Sequence, residues 1–138
     1  MNKFVFLEHT ADIQFQAFGK TIEEMFENSF FALRQSICGK MKIKTSKEKI
    51  IKVQGKDYES LLYNFLEGVI YFLEADNFIS GEVQDIKIVG FKMIATLKGD
   101  RASNYKFTNN IKAVTYHNMF IKKDKDKNRW FCQVVLDA

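Results

Sequence analysis

Residues 4–18 read FVFLEHTADIQFQAF, in which two apolar runs flank a short segment carrying several polar side chains. The runs predict two β-strands or one bent strand, because Ile13, Phe15 and Ala17 alternate with glutamines and the earlier run is wholly apolar. The intervening residues 8–12 supply an imidazole, a hydroxyl and two carboxylates. Polar groups fixed between strands are typical of functional sites. This segment is therefore the first candidate site.

Two amphipathic helices are predicted after these strands. The first begins after Thr21, whose spacing to Glu24 is that of a capping box, and ends before Gly39. The second begins after Asp57 and runs to about Glu74. In both helices the apolar residues recur at intervals of three and four, which gives each helix one apolar face to pack on a sheet.

The remaining segments predict strands and one long loop. Apolar residues among lysines over 42–54 indicate one or two exposed strands, and residues 78–98 indicate strands that break at Gly90. Residues 99–110 are polar and aperiodic, which predicts a loop. The last third predicts a hairpin with a charged tip over 122–129. We therefore expect an α+β fold in which two helices pack on one face of a mostly antiparallel sheet.

Length and composition restrict the class of protein. The 138 residues predict a single compact domain over 1–138. No apolar run approaches the roughly 20 residues of a membrane span, and we expect no signal peptide, so the sequence predicts a cytoplasmic protein without membrane contact. Cys38 and Cys132 are too few and too isolated for a disulfide framework and predict buried or reduced thiols. The net charge of +4 permits RNA or an acidic partner without requiring either, and no DNA binding is expected.

Three stretches of the sequence follow one another in an order and at a spacing that are typical of one known family. They are HTADI at residues 9–13, IKAVTYH at residues 111–117, and a final strand that closes on Asp137. Together they resemble the archease family. The second predicted helix, entered through Asp57 and carrying Glu67, resembles the central helix of that family. The resemblance covers essentially the whole chain.

The resemblance implies an accessory role rather than an enzymatic one. Archeases assist the GTP-dependent RNA-splicing ligase, which joins tRNA exon halves or repairs cleaved RNA. They promote guanylylation of the ligase and its multiple turnover. A protein similar to them would contribute no catalytic residue of its own, and its contact with RNA would be indirect or weak.

The resemblance also implies a divalent cation site. The family's ligands map onto Asp12, Asp137 and the terminal residue Ala138. The expected ion is Ca²⁺, with Mg²⁺ or Zn²⁺ as alternatives. Hard cations take several oxygen ligands, which two aspartates and a terminal carboxylate or main-chain carbonyl supply. Taken alone, Asp12 is also explained by an Asx-turn, and Asp137 by an exposed chain end.

Three further residues are candidates for functional support: His9, Lys112 and His117. By resemblance, Lys112 would contact the ligase, RNA or a nucleotide phosphate. The sequence departs from the family's usual pattern at Gln14, where relatives carry glycine. It also lacks the histidine that relatives tend to carry in the segment 99–110.

Two other functions remain open from the residues. An RNA- or protein-binding module would use the lysine-rich segment 40–52 as its surface. A metal-dependent hydrolase would use His9, Asp12, His117 and Asp137, because two histidines and two acids can hold a catalytic metal. The sequence shows no paired histidines on one helix and no obvious general base, which favours the accessory role.

Overall fold

The computed structural model describes residues 3–7 and 12–138 of the chain. Its elements, in order, are β1 (Phe4–Leu7), β2 (Ile13–Gly19), α1 (Ile22–Cys38), β3 (Lys47–Gln54), α2 (Tyr58–Asp76), β4 (Phe78–Val89), β5 (Lys92–Arg101), a 3₁₀ helix (Ala102–Asn104), β6 (Ala113–Asp124) and β7 (Arg129–Asp137). The predicted α+β fold with two amphipathic helices and antiparallel strands is confirmed. Residues 8–11 of the polar segment between β1 and β2, His9 among them, lie outside the described residues.

Both helices begin at the residues that the capping signals predict. The Thr21 side chain accepts a hydrogen bond from the Glu24 amide at 3.1 Å, and α1 ends at Gly39, whose φ of 62° suits glycine. Asp57 accepts from the Ser60 amide at 2.7 Å and completes a capping box. Neither helix of the described chain is long and apolar enough to cross a membrane.

The strands form two antiparallel sheets where the sequence predicted one. Their orders are β1-β2-β7-β6 and β3-β5-β4. Both helices contact strands of the two sheets. The reason is visible in α1, which buries ten of its 17 residues and so has a face too wide for one sheet to cover.

A single apolar cluster joins the helices to both sheets. Its centre is aromatic: Phe26 and Phe30 of α1 lie with their ring centroids 6.1 Å and 6.4 Å from that of Phe65 in α2. All three side chains are fully buried. Rings at these separations add to the free energy of burial, so the contact fixes the two helices against each other.

The two cysteines are free and buried, as the sequence predicted. The Cys132 sulfur lies 3.2 Å from the Ser29 hydroxyl oxygen within the core. Burial raises the pKa of both Cys38 and Cys132 to about 11. Both thiols are therefore protonated at neutral pH and unreactive as nucleophiles.

The predicted loop over 99–110 is wrong in its first half. Strand β5 continues through Arg101 and a 3₁₀ helix follows, so irregular chain begins at Tyr105. The Asp100 carboxylate, which made this segment look like loop, is buried and hydrogen-bonded. Its carboxylate oxygens accept hydrogen bonds inside the protein, and the alternation of polar and apolar residues in the sequence cannot reveal such bonds. The predicted C-terminal hairpin is confirmed as β6 and β7.

The close approach of β4 to β5 supplies a test of the register. A Cβ added to Gly99 would collide with the carbonyl oxygen of Ile79. We expect Gly99→Ala to lower the free energy of unfolding by at least about 2 kcal/mol, because the two strands would have to move apart. Urea denaturation measures this change.

The control for this substitution is Gly90→Asn in the β4–β5 turn. A Cβ at Gly90 meets no atom within 4 Å, and asparagine tolerates its φ of 61°. Equal midpoints for the two variants would contradict the described register of β4 and β5.

Candidate functional site

The two aspartates named by the sequence lie at the same end of the four-stranded sheet. Strands β2 and β7 are antiparallel neighbours in which Ile13 pairs with Leu136. Continuing that register by one residue sets Asp12 opposite Asp137. On the other side of β7, the Lys112 amide donates to the Asp137 carbonyl at 2.8 Å. The start of the chain, its end and the late motif therefore converge.

Continuing the strand alternation by one residue puts both carboxylates on one face of this sheet. Leu136 is fully buried, so the next side chain, Asp137, lies on the opposite face and is exposed. Ile13 pairs with Leu136 and packs against the core, so Asp12, the residue before it, would take the same orientation as Asp137. A hydrogen bond of 3.0 Å between Gln16 and Gln133 joins the same two strands. In this continued register the carboxylates of Asp12 and Asp137 would be cross-strand neighbours.

These donors match the chemistry of a hard divalent cation. Directly opposed residues have Cβ atoms roughly 4.5–5.5 Å apart, and like charges at that separation repel. A cation between Asp12 and Asp137 would remove the repulsion, and oxygen ligands suit Ca²⁺ or Mg²⁺ better than Zn²⁺. Over residues 3–7 and 12–138, no three His, Cys, Asp or Glu side chains cluster at metal-binding distance. Further ligands would have to include the exposed terminal carboxylate of Ala138, main-chain oxygens or water.

Asp12 also lines a cavity of about 570 Å³ beside the end of α1. Asn109 also lines this cavity, and it belongs to a loop that is hydrogen-bonded to the last turn of this helix. The Asn109 side chain donates to the Ser36 carbonyl at 2.9 Å, and the Thr108 amide donates to the Ile37 carbonyl at 2.9 Å. These bonds satisfy carbonyls that a helix end leaves without partners. The loop therefore has a fixed position next to Asp12.

Comparison with known proteins identifies the family. The model of the Archease protein family matches residues 4–138. The chain belongs to the archease family. Protein archease of Pyrococcus abyssi is 38% identical over 142 residues, covering 99% of each chain. Protein archease of Methanosarcina mazei is 34% identical, covering 98% of this chain and 95% of its own.

A solved structure agrees with the archease fold described above. The solution structure of protein 1598 of Methanobacterium thermoautotrophicum superimposes with a TM-score of 0.83 at 26% identity, and the match covers 100% of both chains. The resemblance inferred from residues 9–13, residues 111–117 and the final strand is therefore confirmed.

The late archease motif is held in place by α2. Glu67 accepts a hydrogen bond from the Val114 amide at 3.3 Å. The rings of Tyr63 and Tyr116 stack with their centroids 4.1 Å apart. Burial is the main cause that raises the pKa of Tyr63, and the negative charge of Glu67 is the second cause. The Tyr63 phenol therefore stays neutral. Glu67 was named from its resemblance to the family's central helix. The contact of Tyr63 with Tyr116 was not predicted, because no local sequence pattern indicates it.

The structure places the candidate supporting residues at different positions. Lys112 lies beside Asp137, because its amide donates to the Asp137 carbonyl, and its side chain is exposed. His117 is exposed and lies where the β6–β7 register shifts, with its amide donating to the Thr115 hydroxyl at 3.1 Å. The structure therefore sets His117 apart from the end of the sheet where Asp137 lies. His9 is outside the described residues.

Asp100 anchors the loop that walls the Asp12 cavity. Its carboxylate accepts from the Tyr105 hydroxyl at 2.7 Å and from the Arg101 amide at 2.8 Å. The Tyr105 oxygen in turn accepts from the Lys44 amide at 3.0 Å. The Tyr105 hydrogen bond is the main cause that lowers the pKa of Asp100. One carboxylate thus joins β5, the loop and the segment before β3.

This network predicts a specific dependence of stability on pH. Because its pKa is lower in the folded than in the unfolded chain, Asp100 contributes stability above the ordinary value of 3.8 and loses it as the pH falls through the folded value. Asp100→Asn should therefore cost stability at pH 7 and progressively less towards pH 2.5. Urea unfolding of both proteins across this range measures the difference.

The variant Tyr105→Phe provides a second measurement on the same hydrogen bond. It removes the hydroxyl that chiefly lowers the pKa of Asp100, so it should also reduce the pH dependence. A cost of Asp100→Asn that stays the same from pH 7 to pH 2.5 would contradict the assignment.

Proposed function

We propose that this chain activates a GTP-dependent RNA ligase in tRNA splicing or RNA repair. It promotes guanylylation of the ligase and allows multiple turnover, and it performs no catalysis itself. The observation that carries the proposal is the archease match over residues 4–138, with relatives of nearly equal length. The partner is the ligase in the cytoplasm, and RNA is contacted indirectly or weakly.

We also propose that Asp12, Asp137 and Ala138 hold one divalent cation, with Ca²⁺ as the expected ion. The continued β2–β7 register and the all-oxygen donor set support this assignment. The bound ion supplies positive charge that keeps both carboxylates ionised. The hydrogen bonds between β2 and β7 would hold the two ends of the chain together, so the site would lie at the end of two paired strands.

Lys112 would act beside this site. Its backbone is fixed by the bond to Asp137, while its side chain is exposed. An ammonium group on a flexible stem can contact a phosphate or a carboxylate. The proposed role of Lys112 is contact with the ligase or with a nucleotide phosphate in its active centre.

A metal-dependent hydrolase is less well supported by the geometry. That function would need His117 close to Asp12 and Asp137. The β6 strand places Ala113 next to Asp137, and His117 follows four residues later, inside the register shift. The ligase-activator proposal does not require this histidine to reach the acids.

The ligase assay tests both the function and the site. With a cognate RNA-splicing ligase at limiting concentration, GTP and broken RNA, the unmutated chain should increase guanylylated ligase and the number of joining events per ligase. Asp12→Asn and Asp137→Asn should each reduce the stimulation at least about tenfold, as loss of a metal ligand or its support does. The exposed Asp126→Asn in the β6–β7 turn is the matched control and should act like the unmutated chain.

The two parts of the proposal fail separately. No stimulation by the unmutated chain would contradict the function. Full stimulation by Asp12→Asn and Asp137→Asn would leave the function standing and contradict the site.

A further inference from the structure

The outer face of the three-stranded sheet combines exposed apolar side chains with lysines. Residues paired across β3, β5 and β4 share a face, and here three successive rows lie on the outer face. They are Ile50, Thr96 and Gln84, then Lys52, Ile94 and Lys87, then Gln54, Lys92 and Val89. We call this surface the lysine-framed face.

Its apolar residues are unusually exposed for aliphatic side chains in a sheet. Val89 is 79% exposed, Ile50 55% and Ile94 38%. Val89 and Ile94 line a shallow cavity of about 470 Å³, and the register shift between Gln84 and Lys87 bends β4 beside it. Grouped exposed apolar residues mark sites of interaction with partners.

The apolar residues form a diagonal stripe rather than a row along one strand. Ile50 on β3 pairs with Thr96 of β5, and Ile94 lies two residues further along β5. Val89 on β4 pairs with Lys92, which lies another two residues along β5. With strands about 4.8 Å apart and residues about 3.3 Å apart, the stripe is about 16 Å long. A helix of about 11 residues, or three turns, has this length.

The charge of the lysine-framed face is positive around the stripe. In the described chain, none of the amines of Lys52, Lys87 and Lys92 pairs with a carboxylate. Glu48 and Glu82 are acidic residues of this face, and both pair with Lys98. Their row is two rows away from that of Ile94, on the side away from Val89. A ligand covering the stripe would therefore need negative charges on both flanks.

The side chains favour a protein over RNA as the ligand. Proteins that bind single-stranded nucleic acid combine positive charge with aromatic rings on which bases stack. The stripe is aliphatic and contains no aromatic ring; Phe91, which precedes Lys92 in the chain, is partly exposed and packs edge-on against Tyr58 at a centroid distance of 5.1 Å. Aliphatic anchors flanked by lysines match an amphipathic helix whose apolar face is bordered by carboxylates.

We propose that the lysine-framed face binds an acidic amphipathic helix of a partner protein. The apolar side of that helix covers Ile50, Ile94 and Val89, and its carboxylates pair with Lys52 and Lys87. This site is on the sheet that lacks Asp12 and Asp137, and the proposal does not depend on the ligase function.

Methyl NMR of the full chain with a synthetic helical peptide tests the proposal. The probe is a capped 16-residue peptide with leucines on one face and glutamates beside them. We expect shifts at the methyl groups of Ile50, Val89 and Ile94, while that of buried Ile70 stays unchanged. Lys52→Glu and Lys87→Glu should each raise the dissociation constant about fivefold, since each replaces an attraction by a repulsion.

The controls use the same type of substitution and two other probes. Lys125→Glu, an exposed lysine in the β6–β7 turn, should change the dissociation constant less than twofold. A peptide with glutamines in place of glutamates should bind more weakly, and so should a 12-nucleotide oligouridine.

Four results would overturn the proposal. The first is no shift at the three methyl groups with the acidic peptide. The second is equal binding of the glutamine peptide, and the third is tighter binding of oligouridine at the same methyl groups. The fourth is an equal loss in Lys125→Glu, which would show attraction to net charge rather than to this face.

Discussion

The antiparallel ladder between β2 and β7 is the constraint on which the rest of the structure depends. It pairs seven successive residues, from Ile13 with Leu136 to Gly19 with Trp130. It forms the centre of the four-stranded sheet, since β1 attaches to one side and β6 to the other. The ladder joins segments more than 110 residues apart in the sequence, so its formation requires most of the chain to be in place.

The ladder is also what connects the fold to the proposed function. Its register, continued by one residue, would bring two carboxylates from opposite ends of the chain to the same end of the sheet, where neither carboxylate alone would offer a cation enough ligands. The second sheet carries the opposite charge on its outer face, through Lys52, Lys87 and Lys92. The chain therefore presents two chemically different surfaces, as expected of a protein that acts by contacting others.

Local sequence patterns predicted the elements better than their assembly. Thr21, Asp57 and Gly39 mark the helix ends because capping depends on a few neighbouring residues. The width of the buried face of α1 was hidden, because Ser29 and Ser36 look like solvent-facing residues. In the structure their hydroxyls donate to main-chain carbonyls one turn earlier, which lets them be buried. A single apolar stripe was therefore predicted, and with it one sheet instead of two.

The candidate site could be predicted only in part, because local motifs name its residues but do not show which other segments lie beside them. The family motifs name Asp12 and Asp137, and the register shows that the residues beside them, Ile13 and Leu136, are paired. The loop wall formed by Asn109 carries no periodic signal, because its bonds to α1 depend on tertiary contacts. The lysine-framed face was equally hidden, since of its lysines only Lys52 belongs to the lysine-rich segment 40–52. Ile94 and Val89 resemble core residues until the sheet shows which face they occupy.

A cation shared by Asp12 and Asp137 would join the two ends of the chain at one end of the four-stranded sheet. Crystals grown with added Ca²⁺, with anomalous differences collected at long wavelength, test for this ion. We expect an anomalous peak at about 2.3–2.6 Å from carboxylate oxygens of both Asp12 and Asp137. A peak bound elsewhere, or ordered Asp12 and Asp137 carboxylates turned apart with no ion between them at saturating Ca²⁺, would contradict it.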